Sequence, residues 1–376
     1  MRRIYLDYNA STPIGHRART AMAPYLEHAY GNPSSLHWAG QPARAAVEGA
    51  RSEIADLLGA SPEEVIFTSG GSEANNLALK GVAFARREKG RHIITAQAEH
   101  PAIEAPCAFL EKIGYEVTRV PVDRTCRVDP QAVARALKTG TVLVSIMHAN
   151  NEVGTINPIA EIARIAHANG ALMHTDAAQS VGKVETKVDT LDVDLLTMAG
   201  HKFGAPKGVG ALYVRSGTPL EPLIHGAGHE HGRRAGTESA LLAVALGAAA
   251  REAADLAPMQ RVKALRERLW ALLQAHFGDR IVLNGHPEFR LPNTANISFV
   301  GKVGADLLAG LDGVAASTGS ACHSGHVELS PVLKAMGVAP EVGMGAIRFS
   351  LGRATTEAEI DATVADIAKV LRAMAP

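Results

Sequence analysis

Residues 64–90, "EVIFTSGGSEANNLALKGVAFARREKG", show the pattern from which the fold class follows. Its first six residues, 64–69, form a short β-branched run that is typical of a strand. The residues that follow carry small and apolar side chains at helical spacing, on a face formed by Ala74, Leu77, Ala78, Gly81 and Val82. A strand therefore leads into a helix through the glycines at 70 and 71.

The same alternation recurs along the chain. Strand patterns at 92–96 and 141–147 are followed by helix patterns at 101–114 and 158–170, and further strand patterns lie at 171–178, 194–200 and 210–215. Continuous apolar strands separated by helices predict an α/β fold with a mostly parallel sheet covered on both faces. We expect a large domain at 16–255. A smaller α+β domain would be formed by 1–15 plus 256–376, with a long helix at 258–278 and strands at 294–300 and 346–352.

Composition restricts the possible partners. The chain has 376 residues, and its 38 basic side chains balance 38 acidic ones, so no overall field attracts nucleic acid or an anionic membrane. The longest apolar region, 239–250, is too short to cross a bilayer and predicts a buried helix. Three cysteines cannot form a disulfide framework, and "MRRIYLDYNA" lacks a signal-peptide core, so we expect a cytoplasmic protein.

Polar residues collect where the predicted strands end. In an open α/β sheet the ligand crevice lies beyond the carboxyl ends of the strands, so one crevice should hold all of these side chains. They are Gly70, Gly71, Ser72, His100, Asn150, Asn151, Asp176, Gln179, His201 and Lys202.

Each of these residues also has an ordinary interpretation. The glycines and Ser72 suit a phosphate at a helix N-terminus, or a simple N-cap. Lys202 alone could be a surface lysine at a strand end, and His100 a residue at a helix start. Asp176 ends an apolar strand, and a buried carboxylate needs a cation or hydrogen-bond donors. Together, an amine, a carboxylate, a phosphate cradle and a flat ring are the parts that a pyridoxal 5'-phosphate site needs.

Several longer motifs resemble those of the class V aminotransferase family, and within it most closely the cysteine desulfurases and selenocysteine lyases. The similarity runs from "YLDYNASTP" (5–13) to "IRFSLGRATTEAEID" (347–361). It implies the type I fold of pyridoxal-phosphate-dependent transferases, like that of aspartate aminotransferase. The motifs are "YGNPSS" (30–35), "MHANNEVG" (147–154), "TDAAQSVGK" (175–183), "AGHKFGAPKGVGALYV" (199–214) and "GSACHSG" (319–325).

The resemblance also implies roles for single residues. Lys202 would hold the cofactor as a Schiff base, Asp176 would keep the ring nitrogen protonated, Gln179 would bond the ring hydroxyl, and His100 would stack on the ring and move protons. Asn151 and Arg348 would orient the substrate carboxylate, for which the planar guanidinium is well suited. The phosphate would be held by Gly71, Ser72, His201 and Thr237, the last reaching across from a second subunit of a homodimer.

Cys322 would be the nucleophile in such an enzyme. It lies among Ser, Gly and Ala in "STGSACHSGH" (317–326), where nothing large buries it. Its thiolate would attack the sulfur of L-cysteine and keep it as a persulfide, for transfer to an acceptor such as an iron-sulfur scaffold protein. The 25 residues between Cys322 and Arg348 resemble the longer-loop branch. His323 and His326 would either lower the pKa of this thiol or be solvated.

Two departures from the desulfurase pattern leave alternatives open. Ala199 stands where many desulfurases have Ser, which would remove one phosphate hydrogen bond, and Ser72 stands where Thr is common. Features such as "GHKF" and "HTDAAQ" are closer to the selenocysteine lyases, so L-selenocysteine is the alternative substrate. A class V aminotransferase, or a sulfur-relay protein that has lost catalysis, is a further alternative. We predict no metal, although His225, His229 and His231 are spaced as ligands could be.

Overall fold

The protein is described by a computed structural model. It covers residues 3–318, 322–323 and 326–374, and for 322, 323, 326 and 327 it gives the backbone alone. Its strands, in chain order, are β1 (Ile4–Tyr5), β2 (Val65–Thr68), β3 (His92–Ala96), β4 (Glu116–Val120), β5 (Thr141–Ser145), β6 (Leu172–Asp176), β7 (Leu195–Ala199), β8 (Gly210–Val214), β9 (Ile281–Asn284), β10 (Thr294–Phe299), β11 (Val314–Ala315), β12 (Cys322–His323), β13 (His326–Val327) and β14 (Ala346–Ser350).

Helices separate most of these strands. They are α1 (His16–Glu27), α2 (Gly40–Leu58), α3 (Gly71–Ala85), α4 (Pro101–Lys112), α5 (Pro130–Ala136), α6 (Ile159–Ala168), α7 (Val188–Leu191), α8 (Ala240–Ala253), α9 (Pro258–Phe277), α10 (Gly304–Ala309), α11 (Pro331–Ala335), α12 (Pro340–Gly343) and α13 (Glu357–Ala373). Within the described residues, none of them is long and apolar enough to span a membrane.

A seven-stranded sheet forms the centre of the molecule, in the order β2-β8-β7-β6-β5-β3-β4. The pairs from β7 through β4 are parallel, whereas β8 runs antiparallel to both β2 and β7. The segment between β7 and β8 contains only a short 3₁₀ turn at Gly200–Lys202, too little chain for a crossover helix, so β8 must return in the opposite direction. The prediction of a mostly parallel α/β sheet is confirmed.

A second sheet packs on a separate core. Strands β9, β10 and β14 form an antiparallel sheet, and β1 pairs with β11. Their buried side chains form one apolar cluster with α9 and α13, while helices α2 and α8 belong to the cluster of the seven-stranded sheet. The predicted helices at 239–250 and 258–278 are confirmed as α8 and α9.

Candidate active site

A cavity of about 310 Å³ lies at the carboxyl ends of the central strands. Parallel strands bring the residues that follow them to one edge of the sheet, which is why side chains more than a hundred positions apart meet here. Gly70 and Asn150, which we expected in this crevice, do not line it. The predicted residues that do line it are Gly71, Ser72, His100, Asn151, Asp176, Gln179, His201, Lys202 and Arg348.

Lys202 places its amine at the wall of this cavity. It follows β7 in the short 3₁₀ turn, and its Nζ donates to the main-chain oxygens of Asn9 at 2.6 Å and Ala10 at 3.0 Å. Burial lowers the pKa of Lys202 to about 8, and the charge of Arg348 adds to the shift. A substantial fraction of this amine is therefore neutral near physiological pH and able to act as a nucleophile.

Asp176 is a buried carboxylate at the end of β6, with 6% of its surface exposed. Its Oδ2 accepts a hydrogen bond from Asn75 Nδ2 at 2.7 Å, and its Oδ1 accepts one from the main-chain N–H of Ala178 at 2.9 Å. Among the described residues, no cationic side chain lies within 4 Å of it. These donors fix its orientation, and the carboxylate remains able to pair with a cation placed in the cavity.

Asn75 is a residue that sequence reasoning missed. It lies on α3 one turn after Gly71 and is buried, with 1% exposed. The signal was present, because a polar residue at position 75 falls beside the small and apolar residues that mark the buried face of this helix.

The start of α3 lines the cavity beside the end of β7. A Cβ built on Gly71 would lie 3.1 Å from the Cβ of Ala199, so helix and strand approach closely because both residues are small. Ser72 follows at the second position of the helix, where main-chain N–H groups have no partner within the helix. An anion placed here would meet these donors and the positive end of the helix dipole.

His201 faces the same corner. Its Nδ1 is buried without a hydrogen-bond partner in the described part of the chain. Burial, followed by the charge of Lys202, lowers the pKa of His201 to about 4, so the ring is neutral at physiological pH. A neutral imidazole with one nitrogen unsatisfied suits a ligand that supplies the missing partner.

His100 begins α4 and lies at the mouth of the cavity. Its Nδ1 accepts a hydrogen bond from the main-chain N–H of Ala102 at 3.0 Å, which assigns the proton of the neutral ring to Nε2. Desolvation lowers the pKa of His100; the charge of Lys202 acts in the same direction, and Asp176 opposes it. Nε2 is therefore the nitrogen available for proton exchange.

Arg348 brings the second sheet into the site from β14. Its Nη2 donates to Asp7 at 2.7 Å and its Nη1 to the main-chain oxygen of Asn151 at 3.0 Å, while its buried Nε has no partner among the described groups. The side-chain Oδ1 of Asn151 is likewise buried and unpaired. Asp7 orients this guanidinium and neutralises part of its charge, a contact that sequence reasoning did not anticipate.

The segment that carries Cys322 is attached beside the cavity at both ends. Before it, Ser317 and Arg348 exchange two main-chain hydrogen bonds. After it, the hydroxyl of Ser330 caps α11 and also bonds the carboxylate of Glu152, the neighbour of Asn151. The backbone of Cys322 pairs with Val327 in a short hairpin, and its side chain lies outside the described residues.

Thr237 lies on an exposed loop of its own chain and does not line this cavity. Two ion pairs hold the loop. Glu230 is buried against Arg51, and Arg234 Nε donates to Glu73 in the first turn of α3 at 2.9 Å. Within the described residues no cluster of His, Cys, Asp and Glu has the arrangement of a metal site.

The chain matches the Aminotransferase class-V family over residues 4–363. It belongs to the class-V aminotransferases. The family resemblance expected from the motifs is thus confirmed across nearly the whole chain.

Relatives within this family carry more specific names. The chain is 47% identical to "Cysteine desulfurase IscS" of Dictyoglomus turgidum, over 98% of this chain and 95% of that protein. Among solved structures it resembles a "NifS-like protein" with a TM-score of 0.93 and 37% identity, covering 98% of this chain and 99% of the other. It also resembles "SspA in complex with cysteine", with a TM-score of 0.84 and 36% identity, over 94% and 100% of the two chains. These likenesses confirm the predicted fold of a type I transferase.

Proposed function

We propose that this class-V aminotransferase family member is a pyridoxal-phosphate-dependent cysteine desulfurase, which converts L-cysteine to L-alanine and retains the sulfur as a persulfide on Cys322. One observation carries the proposal. The cavity joins the amine of Lys202, the carboxylate of Asp176 and the guanidinium of Arg348, and the segment containing Cys322 is attached at both ends beside it. An aminotransferase has no use for a thiol on that segment.

The residues present fit the cofactor. Asp176 is buried without a cation within 4 Å in the described part of the chain, His201 has an unsatisfied buried nitrogen, and the start of α3 offers free N–H donors beside small side chains. The carboxylate would pair with a protonated ring nitrogen, and the imidazole and the N–H donors would bind a phosphate. Lys202 would form the covalent link, and Gln179 would face the ring hydroxyl. The phosphate would be held by Gly71, Ser72, His201 and Thr237 of the partner subunit.

When bound, pyridoxal phosphate supplies an electron sink for the pair left behind when the substrate loses its α-proton. Arg348 would bind the substrate carboxylate through the guanidinium Nε, which lacks a partner within the described residues, and Asn151 would donate to it from its side-chain Nδ2. His100 would stack on the ring and exchange protons through Nε2, the nitrogen not held by Ala102. The lowered pKa of Lys202 lets its amine, once released, accept a proton at physiological pH.

Cys322 would carry the sulfur. Its thiolate attacks the sulfur of the substrate, a new S–S bond forms, and the C–S bond of the substrate breaks. The electron pair of that bond stays with the substrate, whose β-carbon takes up a proton; the α-carbon also regains its proton, and the product leaves as alanine. The enzyme then holds Cys–S–SH, and a thiol or an acceptor protein is needed to remove the outer sulfur.

Alanine release from L-cysteine and from L-selenocysteine, measured in parallel, tests this function. We expect the wild type to release alanine from L-cysteine and Cys322→Ala to abolish that release. Cys107→Ala, at a buried thiol that does not line the cavity, should leave it unchanged. Continued cysteine turnover by Cys322→Ala would refute the role of Cys322. Efficient turnover of selenocysteine alone would identify a selenocysteine lyase instead.

Further features are part of the same proposal. The enzyme would be a cytoplasmic homodimer that passes sulfur to an acceptor or iron-sulfur scaffold protein. The chain would divide into a large domain, 16–255, and a small one, 1–15 plus 256–376. The separate apolar clusters of the two sheets, and the pairing of β1 with β11, support that division.

A further inference from the structure

Lys183 is a buried amine that the mechanism above does not use. It lies in the turn after β6, and only 8% of its surface is exposed. No carboxylate of the described residues lies within 4 Å of its Nζ, which donates instead to Gln179 Oε1 at 2.9 Å and Asn9 Oδ1 at 3.3 Å. Burial lowers the pKa of Lys183 well below its usual range, and the charges of Lys202 and Arg348 act in the same direction. Two amide oxygens match the two N–H donors of a neutral amine.

The contact with Lys183 fixes the orientation of the Gln179 amide. The other end of that amide faces the main-chain oxygen of Asn9 at 3.0 Å, and a carbonyl oxygen only accepts, so the donating Nε2 must lie there. With Oε1 bonded to Lys183, the amide has one favourable orientation. Without Lys183, the oxygen end of the amide would be left buried and unpaired.

Asn9 connects this pair to the reactive lysine. It is fully buried, and its main-chain oxygen accepts hydrogen bonds from both Gln179 Nε2 and Lys202 Nζ. Its side-chain oxygen accepts from Lys183 and from Asn293 at 2.9 Å. When the amine of Lys202 is neutral, its two N–H groups are taken by Asn9 and Ala10, which leaves the lone pair for the cavity.

We propose that Lys183 is a positioning residue for Lys202. Its buried amine holds Asn9 and Gln179 in the arrangement in which the main-chain oxygen of Asn9 receives the free amine of Lys202. The inference rests on the proposed function only in treating Lys202 as the lysine that binds the cofactor. Lys183 itself does not line the cavity in which the cofactor and the substrate would bind.

Cofactor uptake by the apoprotein provides the test, and it is measured for Lys183→Met and for the control Lys187→Met. Lys187 is an exposed lysine of the same segment, and its amine donates to the main-chain oxygen of Asp56. Absorbance follows the reaction of pyridoxal phosphate with the Lys202 amine. We expect Lys183→Met to slow uptake and lower kcat for L-cysteine by about tenfold each, with KM within about twofold, because a buried hydrogen-bond partner is lost. Lys187→Met should match the wild type. If Lys183→Met does not fold, Lys183→Gln is compared in the same way.

The same substitution, made in a Gln179 variant, distinguishes a positioning role of Lys183 from a merely structural one. In the Gln179→Leu variant the amide is absent, so adding Lys183→Met should cost less than about threefold further in uptake rate. A full tenfold loss in that background, or uptake by Lys183→Met equal to that of Lys187→Met, would overturn the inference. A wild type that takes up cofactor but releases no alanine from L-cysteine would refute the proposed function, and the uptake comparison would still decide the role of Lys183.

Discussion

Replacing Glu230 by Gln should destabilise the protein through one buried ion pair. Glu230 and Arg51 are 3% and 2% exposed, and the guanidinium donates to both carboxylate oxygens, at 2.7 and 3.0 Å. The carboxylate also accepts from the main-chain N–H of Phe67 at 2.9 Å. Glutamine has the same shape but turns an N–H group toward one of these donors and leaves the Arg51 charge without its buried counter-ion.

The expected loss follows from this geometry. Removing one partner of a buried pair costs about 3–5 kcal/mol, and we expect the lower end because Glu48, half exposed, still lies 3.3 Å from Arg51 Nε. Glu230 also has a φ of 48°, a left-handed conformation that costs roughly 1–2 kcal/mol in a non-glycine residue and is retained in the variant. The pair therefore holds a strained turn in the loop that continues to Thr237.

Urea unfolding measures the loss. With a slope of about 3 kcal/mol per molar, a loss of about 3 kcal/mol moves the midpoint down by about 1 M. The control Glu63→Gln changes an exposed carboxylate just before β2 and should stay within about 0.5 kcal/mol of the wild type. Adding Arg51→Met to Glu230→Gln should restore part of the stability, because the uncompensated charge is then gone. A midpoint for Glu230→Gln equal to that of Glu63→Gln would refute the reasoning.

Two further predictions concern the cavity. Ala199→Ser places a hydroxyl beside Gly71, at the corner where we expect the phosphate. It should tighten pyridoxal phosphate binding by about two- to tenfold in an equilibrium titration of the apoprotein. Unchanged or weaker binding would contradict this prediction. Cofactor uptake should rise with pH and level off above about pH 8, because only the neutral amine of Lys202 reacts and its pKa is lowered to about 8. A rate still rising tenfold per unit towards pH 10.4, the ordinary lysine value, would show that the amine is not desolvated.

Most of the cavity could be predicted from the sequence because the parallel sheet does the positioning. Once 141–147 and 171–178 are identified as neighbouring strands, Asn151 and Asp176 must emerge at the same edge, whatever their separation in the chain. The contacts that support them could not be predicted in this way. The position of Asn75 on α3 marks it as buried, but its contact with Asp176 is not encoded in that pattern. Asn9 is recognisable as functional only when the segment before β2 is placed in space, and hydropathy patterns do not encode that placement. The pair of Arg51 and Glu230 joins residues 179 positions apart for the same reason.

Asn9 shows why the site depends on both sheets at once. Its main-chain N–H donates to Ser350 on β14, its side-chain amide donates to Thr294 on β10, and its carbonyl accepts from Gln179 and Lys202 beside the central sheet. Every polar atom of this residue is therefore engaged, and its bonds reach segments of both sheets. The substrate carboxylate would bind Arg348 on β14, whereas the reactive amine follows β7. The distance between them is thus fixed by the packing of the second sheet against the first, and Asn9 is one of the residues whose hydrogen bonds cross that boundary.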